Sequence, residues 1–184
     1  TTSQGILVSW RSLKSDAPTQ AFNVYRNGTL IASDITTKTN FVDKDGKAGD
    51  TYRIETSGSA SETKAWDNIY TSIELARPKS RKDAAGKTTG RYRPDDISVG
   101  DVDGDGEYEL VLKWMPDNAR DSGKEGYSSP AYISCYEMDG TPLWTIDTGY
   151  GIRSGNHYTQ FLVYDFDGDG KAEVIFKTAA GTKD

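Results

Sequence analysis

Asp101–Glu109 reads DVDGDGEYE and Asp165–Glu173 reads DFDGDGKAE, two copies of one pattern, D-x-D-G-D-G-x-x-E. Carboxylates at alternate positions with glycine between them suit a hard cation, which takes roughly six to eight oxygen ligands. The glycines let the backbone turn tightly enough for Asp101, Asp103 and Asp105 to point at one centre. The carbonyl of Glu107 and the carboxylate of Glu109 then close the shell. In the second copy these roles fall to Asp165, Asp167, Asp169, the carbonyl of Lys171, and Glu173. The expected ion is Ca²⁺, one per loop. A solvated acidic turn would have no need of a second nine-residue copy.

The residues just after each loop decide the fold. A helical calcium hand places a bidentate Glu at its twelfth position, where this chain has Leu112 and Phe176. The exits YELVLKW and AEVIFKT alternate β-branched and aromatic residues, so each loop leads into a strand. Glycine and tyrosine are abundant and runs of helix formers few, which points to an all-β protein. The formal charge of −6 argues against a nucleic-acid partner, which would call for a basic stripe. No apolar run reads as a membrane span, and TTSQGILVSW opens the chain as a mature or trimmed product would. The single cysteine, Cys135, lies in the apolar run AYISCYEM and reads as a buried thiol. Weak modular calcium sites belong to extracellular conditions, so secretion is expected.

Outward from the loops, the chain divides in three. Residues 1–76 carry short strands separated by turn signals, among them FNVYR and TLIA around the Asn27-Gly28 pair. They are expected to form a small β-sandwich of the fibronectin type III or immunoglobulin kind, with Trp10, Phe22, Val24, Tyr25, Tyr52 and Ile54 as its core. Residues 77–94, RPKSRKDAAGKTTGRYRP, read as an exposed basic linker. Residues 95–184 contain the strands ISVGDVD, YELVLKW, AYISCYEM and PLWTIDTG, and the series then starts again at HYTQFLVYDFD. Repeated four-stranded units are the signature of a β-propeller, here about one and a half blades. Such a piece would leave a long open edge, so a longer chain that completes the propeller is expected. The polar insert MPDNARDSGKEGYSSP is the type of loop that builds a binding face.

The fibronectin-like module, then DISVGDVDGDGEYELVLKW, then MDGTPLWTIDTGYGIRSGNHYTQFLVYDFDGDGKAEVIFKTAAGT resemble the rhamnogalacturonan lyases of polysaccharide lyase family eleven. The resemblance implies an eight-bladed, calcium-loaded propeller in a secreted or periplasmic bacterial enzyme. Its substrate would be rhamnogalacturonan I, the pectin backbone of alternating rhamnose and galacturonate, cleaved by β-elimination. Carried onto this chain, sugar-contacting positions fall on Asp95 and Met115, where the family has Asn and Asp. Elimination needs a base for the proton on C5 of galacturonate and a cation beside its carboxylate. His157, the only histidine, is the candidate base, and Arg153 the candidate carboxylate clamp. Lys113 and Lys177 stand at matching positions after each loop and are expected to pair with the calcium-loop carboxylates. The rival reading is a non-catalytic calcium-stabilised carbohydrate-binding or adhesion module, which would have no reason to carry IRSGNHYTQF.

Overall fold

Every regular element in the computed structural model, which describes residues 1–184, is a strand. No helix is long and apolar enough to cross a membrane. The chain divides into two compact units, Thr1–Ser72 and Ile73–Asp184.

The first unit contains β1 (Ile6–Ser9), β2 (Phe22–Arg26), β3 (Thr29–Ile35), β4 (Asn40–Asp43), β5 (Thr51–Glu55) and β6 (Ala60–Lys64). The β1–β4 pair lies over a four-stranded antiparallel sheet ordered β3-β2-β5-β6, and Ile6, Val8, Val24 and Tyr52 fill the space between. Asn27 and Gly28 both take positive φ, as a two-residue hairpin turn requires. Of the expected core residues, Phe22, Val24 and Tyr52 are buried, while Trp10 and Ile54 pack at the cluster's margin. Tyr25 differs. It follows Val24 on the same strand, so the two-residue period turns it to the opposite face, where the Arg53 guanidinium lies 4.2 Å from its ring centre.

The second unit begins at Ile73, and Ile73 and Leu75 pack against its core. Its strands are β7 (Arg81–Lys82), β8 (Thr89–Gly90), β9 (Tyr92–Gly100), β10 (Glu109–Pro116), β11 (Tyr132–Tyr136), β12 (Pro142–Asp147), β13 (Phe161–Tyr164) and β14 (Glu173–Phe176). The stretch expected to be a linker is a structured part of this unit. β7 and β8 pair as a hairpin, and the Asp83 carboxylate caps its turn through the N–H groups of Lys87 and Thr88. Arg81 pairs with Asp147, donates to the Tyr132 and Tyr150 hydroxyls, and stacks on the Tyr150 ring. A basic run looks solvated in sequence because its acceptors, on β11 and β12, lie far along the chain.

β12-β11-β10-β9 form one antiparallel sheet and β13-β14 a second. β10 is buried along its whole length, so both of its faces are core. Leu110, Leu112 and Trp114 pack with Tyr92 and Tyr136 on one face. Val111 packs with Ile133 and Cys135 on the other, against Phe161, Val163, Val174 and Phe176 of the second sheet. Gly100 is a point of close approach to the second sheet and its loop, where a Cβ would stand 2.8 Å from both Ala172 and Val163. Cys135 is a free buried thiol, pushed up to about 12 chiefly by burial.

Candidate functional site

The two acidic loops have the same internal construction. Asp101 accepts the N–H groups of Gly104 (2.6 Å) and Gly106 (3.0 Å), and Asp165 accepts those of Gly168 (2.6 Å) and Gly170 (3.0 Å). All four glycines have φ between +80° and +95°, a region that side chains strain to enter. The Glu at the end of each loop reaches back over it: Glu109 accepts from Val102 N–H and Glu173 from Phe166 N–H. In each loop three carboxylates converge, Asp101, Asp103 and Glu109 in the first and Asp165, Asp167 and Glu173 in the second, with their oxygens within 4.8 Å of one another. Asp105 and Asp169 stand outside these groups. Each caps the next turn, accepting from Glu107 N–H and Lys171 N–H at 2.8 Å, as Asp103 and Asp167 cap the turn before.

The first cluster fits a hard cation on its own evidence. Glu109 is fully buried, and its Oε1 has no hydrogen-bond partner. A buried carboxylate oxygen left unpaired costs free energy, and a cation among the three acids would satisfy it. The neighbouring Glu137 registers the same uncompensated charge. Burial, and then the negative charges of Glu109, Asp103 and Asp105, push its carboxyl up. The two loops also touch. Ala172 N–H donates to the Asp101 carbonyl (2.6 Å), and the Lys171 stem lies over Gly104.

Lys113 does not pair with either loop. Between Leu112 and Trp114 the register with β9 slips, so that Asp95 and Asp96 together stand opposite Lys113. This bulge brings both carboxylates to one ammonium, at 2.8 and 2.6 Å, and Lys113 is fully buried. Asp95, expected at the sugar, is therefore engaged in an ion pair. Met115, the other expected sugar-contacting position, is only 1% exposed. An apolar side chain on a strand with two core faces goes inward, and so Met115 offers no surface to a ligand.

The remaining chemistry lies at the other end of the sheet. The turn after β9, the turn after β11 and the second acidic loop gather at one end. The segments 117–131, after β10, and 148–160, after β12, gather at the opposite end. β10, with eight residues, separates the ends by about 25 Å. There Arg153 donates through Nη1 to the carbonyls of Asp121 (3.3 Å) and Lys124 (2.9 Å). His157 keeps a largely solvent-facing imidazole, with Nδ1 3.3 Å from Asp121 Oδ2. Asn118 brackets Ser129 through two 3.1 Å bonds, tying the ends of the polar insert together. Asp121 has no signal of its own in the sequence, since nothing in DNARDSGKEG distinguishes it from the other charges of the insert.

Comparison with known proteins bears on both units. The family described as "Rhamnogalacturonan I lyases beta-sheet domain" matches residues 1–70, and "Rhamnogalacturonan lyase family 11, C-terminal domain" matches residues 70–184. The chain is 47% identical to the rhamnogalacturonan endolyase YesW of Bacillus subtilis (strain 168), over 100% of its own length and 30% of that protein's. It is 46% identical to the rhamnogalacturonan exolyase YesX of the same organism, again over all of this chain and 31% of the other. The crystal structure of YesX superposes with a TM-score of 0.89, at 45% identity, covering 100% of this chain and 32% of that one. The chain thus spans about a third of the length of the relatives it matches. With one family description or the other matching every residue, and the same all-β architecture in the solved relative, the chain belongs to rhamnogalacturonan lyase family 11.

Proposed function

We propose that the full-length protein cleaves the rhamnose–galacturonate backbone of rhamnogalacturonan by β-elimination, and that the second unit contributes one wall of its active site. The observation that carries this reading is the likeness to both an endolyase and an exolyase at 46–47% identity through the whole chain. A likeness confined to the acidic loops would have fitted an adhesion module equally well.

On this reading His157 accepts the proton from C5 of galacturonate. Its imidazole is 79% exposed and stands among long loops, where a polymer can reach it. Arg153 spends Nη1 on the insert and keeps the rest of its guanidinium for a uronate carboxylate. That carboxylate resists a second negative charge on the adjacent carbon, and a cation beside it lowers the barrier as charge develops.

Calcium is the ion we assign to Asp101, Asp103 and Glu109 and to Asp165, Asp167 and Glu173, with the carbonyls of Glu107 and Lys171 as further oxygens. When bound it supplies positive charge that relieves the clustered carboxylates and fixes the turns. These loops lie at the sheet end away from His157, which favours a structural role for them. The four-stranded sheet and the β13–β14 pair are read as the first blade of a propeller and part of the next, the first unit as a fibronectin-like sandwich, and the protein as secreted.

The test is His157→Ala in the full-length protein. Turnover of rhamnogalacturonan, followed by the ultraviolet absorbance of the unsaturated uronate product, is expected to fall about 10²–10⁴-fold. The melting temperature should hardly move, because the side chain is exposed. Unchanged turnover would sink the assignment of the base, and no product from the wild-type protein would sink the activity.

A further inference from the structure

We infer that Asp121 is the positioning residue for His157, holding the imidazole with Nδ1–H bound to its carboxylate and the Nε2 lone pair turned outward. The inference rests on the reading of His157 as proton acceptor, but its first test does not.

Asp121 and His157 are 36 residues apart, one in the insert after β10 and the other in the segment after β12. Three contacts hold them together. Asp121 Oδ1 accepts the backbone N–H of His157 at 3.3 Å while Oδ2 faces Nδ1 at 3.3 Å, so one carboxylate grips both backbone and ring. Arg153 staples the insert from the His157 side through the carbonyls of Asp121 and Lys124. Gly155 makes the approach possible, since a Cβ there would meet the Arg120 carbonyl carbon and oxygen at 2.7 Å and run into Asp121 Oδ1. Beneath the loop, Ser154 and Thr159 are fully buried, and Thr159 Oγ1 donates to the Arg153 carbonyl at 3.4 Å. The backbone around the pair is thus fixed while the far edge of the ring faces solvent.

The chemistry turns on the choice of tautomer. A neutral imidazole carries one N–H, and the acceptor on Nδ1 decides which nitrogen has it. With Asp121 on Nδ1–H, Nε2 is left as the base. Nε2 takes the C5 proton, the C5–H electron pair becomes the C4–C5 double bond, and the C4–O pair leaves with the oxygen, which is protonated by water. Asp121 meanwhile faces the imidazolium that forms, as an ionised carboxylate in contact with its Nδ1–H. Of the carboxylates in these loops, which include Asp117 and Glu125, Asp121 is the one within 4 Å of an imidazole nitrogen.

Asp121→Asn separates positioning from folding. The Asn oxygen can still accept the His157 backbone N–H, but its NH₂ then faces Nδ1 and forces the proton to Nε2. In the 184-residue chain, His157 is the only histidine, so nitrogen-15 spectra of the neutral imidazole report one ring. The wild type is expected in the Nδ1–H form, Asp121→Asn in the Nε2–H form, and Asp121→Glu in the Nδ1–H form again. An Nε2–H ring in the wild type overturns the inference. In the full-length protein, Asp121→Asn is expected to lower kcat about 10²–10⁴-fold with KM and melting temperature held. Where His157→Ala has lost its turnover, an inverted tautomer with undiminished kcat also overturns it. If His157→Ala keeps its turnover while the tautomer inverts as described, it is the assignment of the base that fails and not the pairing.

Discussion

Glu109 is a carboxylate that the fold buries completely and then half-satisfies: Oε2 takes the Val102 N–H and Oε1 takes nothing. Glu109→Gln should therefore act in opposite directions with and without metal. In chelator the variant is expected to be as stable as the wild type or more so, because an unpaired buried charge has gone. In calcium at about a hundred times the site's dissociation constant, the wild type gains about 2.7 kcal/mol from that site and the variant loses the gain. Melts at the two conditions, with the calcium stoichiometry, check this. A variant that still binds two ions would show that Glu109 is no ligand. At this scale the sequence is readable where chemistry is local. The nine-residue repeat announces the acidic clusters, yet it cannot show which of its carboxylates already converge and which, like Asp105 and Asp169, stand further off and cap a turn. Nor can it show that Asp121 stands beside His157, because that meeting depends on loops from different strands.

β10 is the central element of the second unit, and besides Glu109 it buries Lys113, an ammonium with no exposure on a strand with two core faces. Lys113→Ala is expected to destabilise the unit by about 3 kcal/mol, because it leaves a cavity and strands Asp95 with no counter-charge. Lys113→Met should cost less, since it fills the volume that Ala vacates, although it too leaves Asp95 without a counter-charge. Denaturant unfolding of the two variants decides the matter, and equal losses would mean that the lost counter-charge, and not the cavity, sets the cost. Alternation and turn signals make β10, β11 and β12 legible in the sequence. The β7–β8 hairpin is not legible there: two-residue strands have no period to detect, and their anchor, Arg81 with Asp147, Tyr132 and Tyr150, is made entirely of distant partners.

The molecule as a whole has acidic clusters only in its second unit and a self-contained apolar core in its first. Calorimetry of the chain should accordingly show chelator lowering the transition of residues 73–184 while the transition of residues 1–72 stays in place. A first-unit transition that moves with calcium would reveal a cation held outside the acidic repeats. The two-unit plan can be read from the change in sequence texture near residue 76, but the boundary itself lies at Ser72–Ile73. Ile73 and Leu75 look like the tail of a strand from the first unit, and only their packing on the Tyr92–Trp114 cluster assigns them to the second.

The bulge opposite Lys113 also gives β9 a change of parity. Before it, the even-numbered Tyr92 lies on the face of Leu112 and Trp114; after it, the odd-numbered Ile97 and Val99 pair with Leu112 and Leu110 and share that face. Substitution and deletion are thus different insults to this strand. Replacing Asp95 or Asp96 changes a charge and leaves the numbering rule of each half intact. Removing either one takes out the bulge and restores a single rule along the strand, with Ile97 and Val99 still opposite Leu112 and Leu110, so neither half has to turn over. Gly100 then keeps its close approach to Val163 and Ala172, and what the strand loses is one of the two carboxylates on Lys113. The doublet Asp95-Asp96 is in this sense a way of delivering two carboxylates to one ammonium, and its letters matter more than its length.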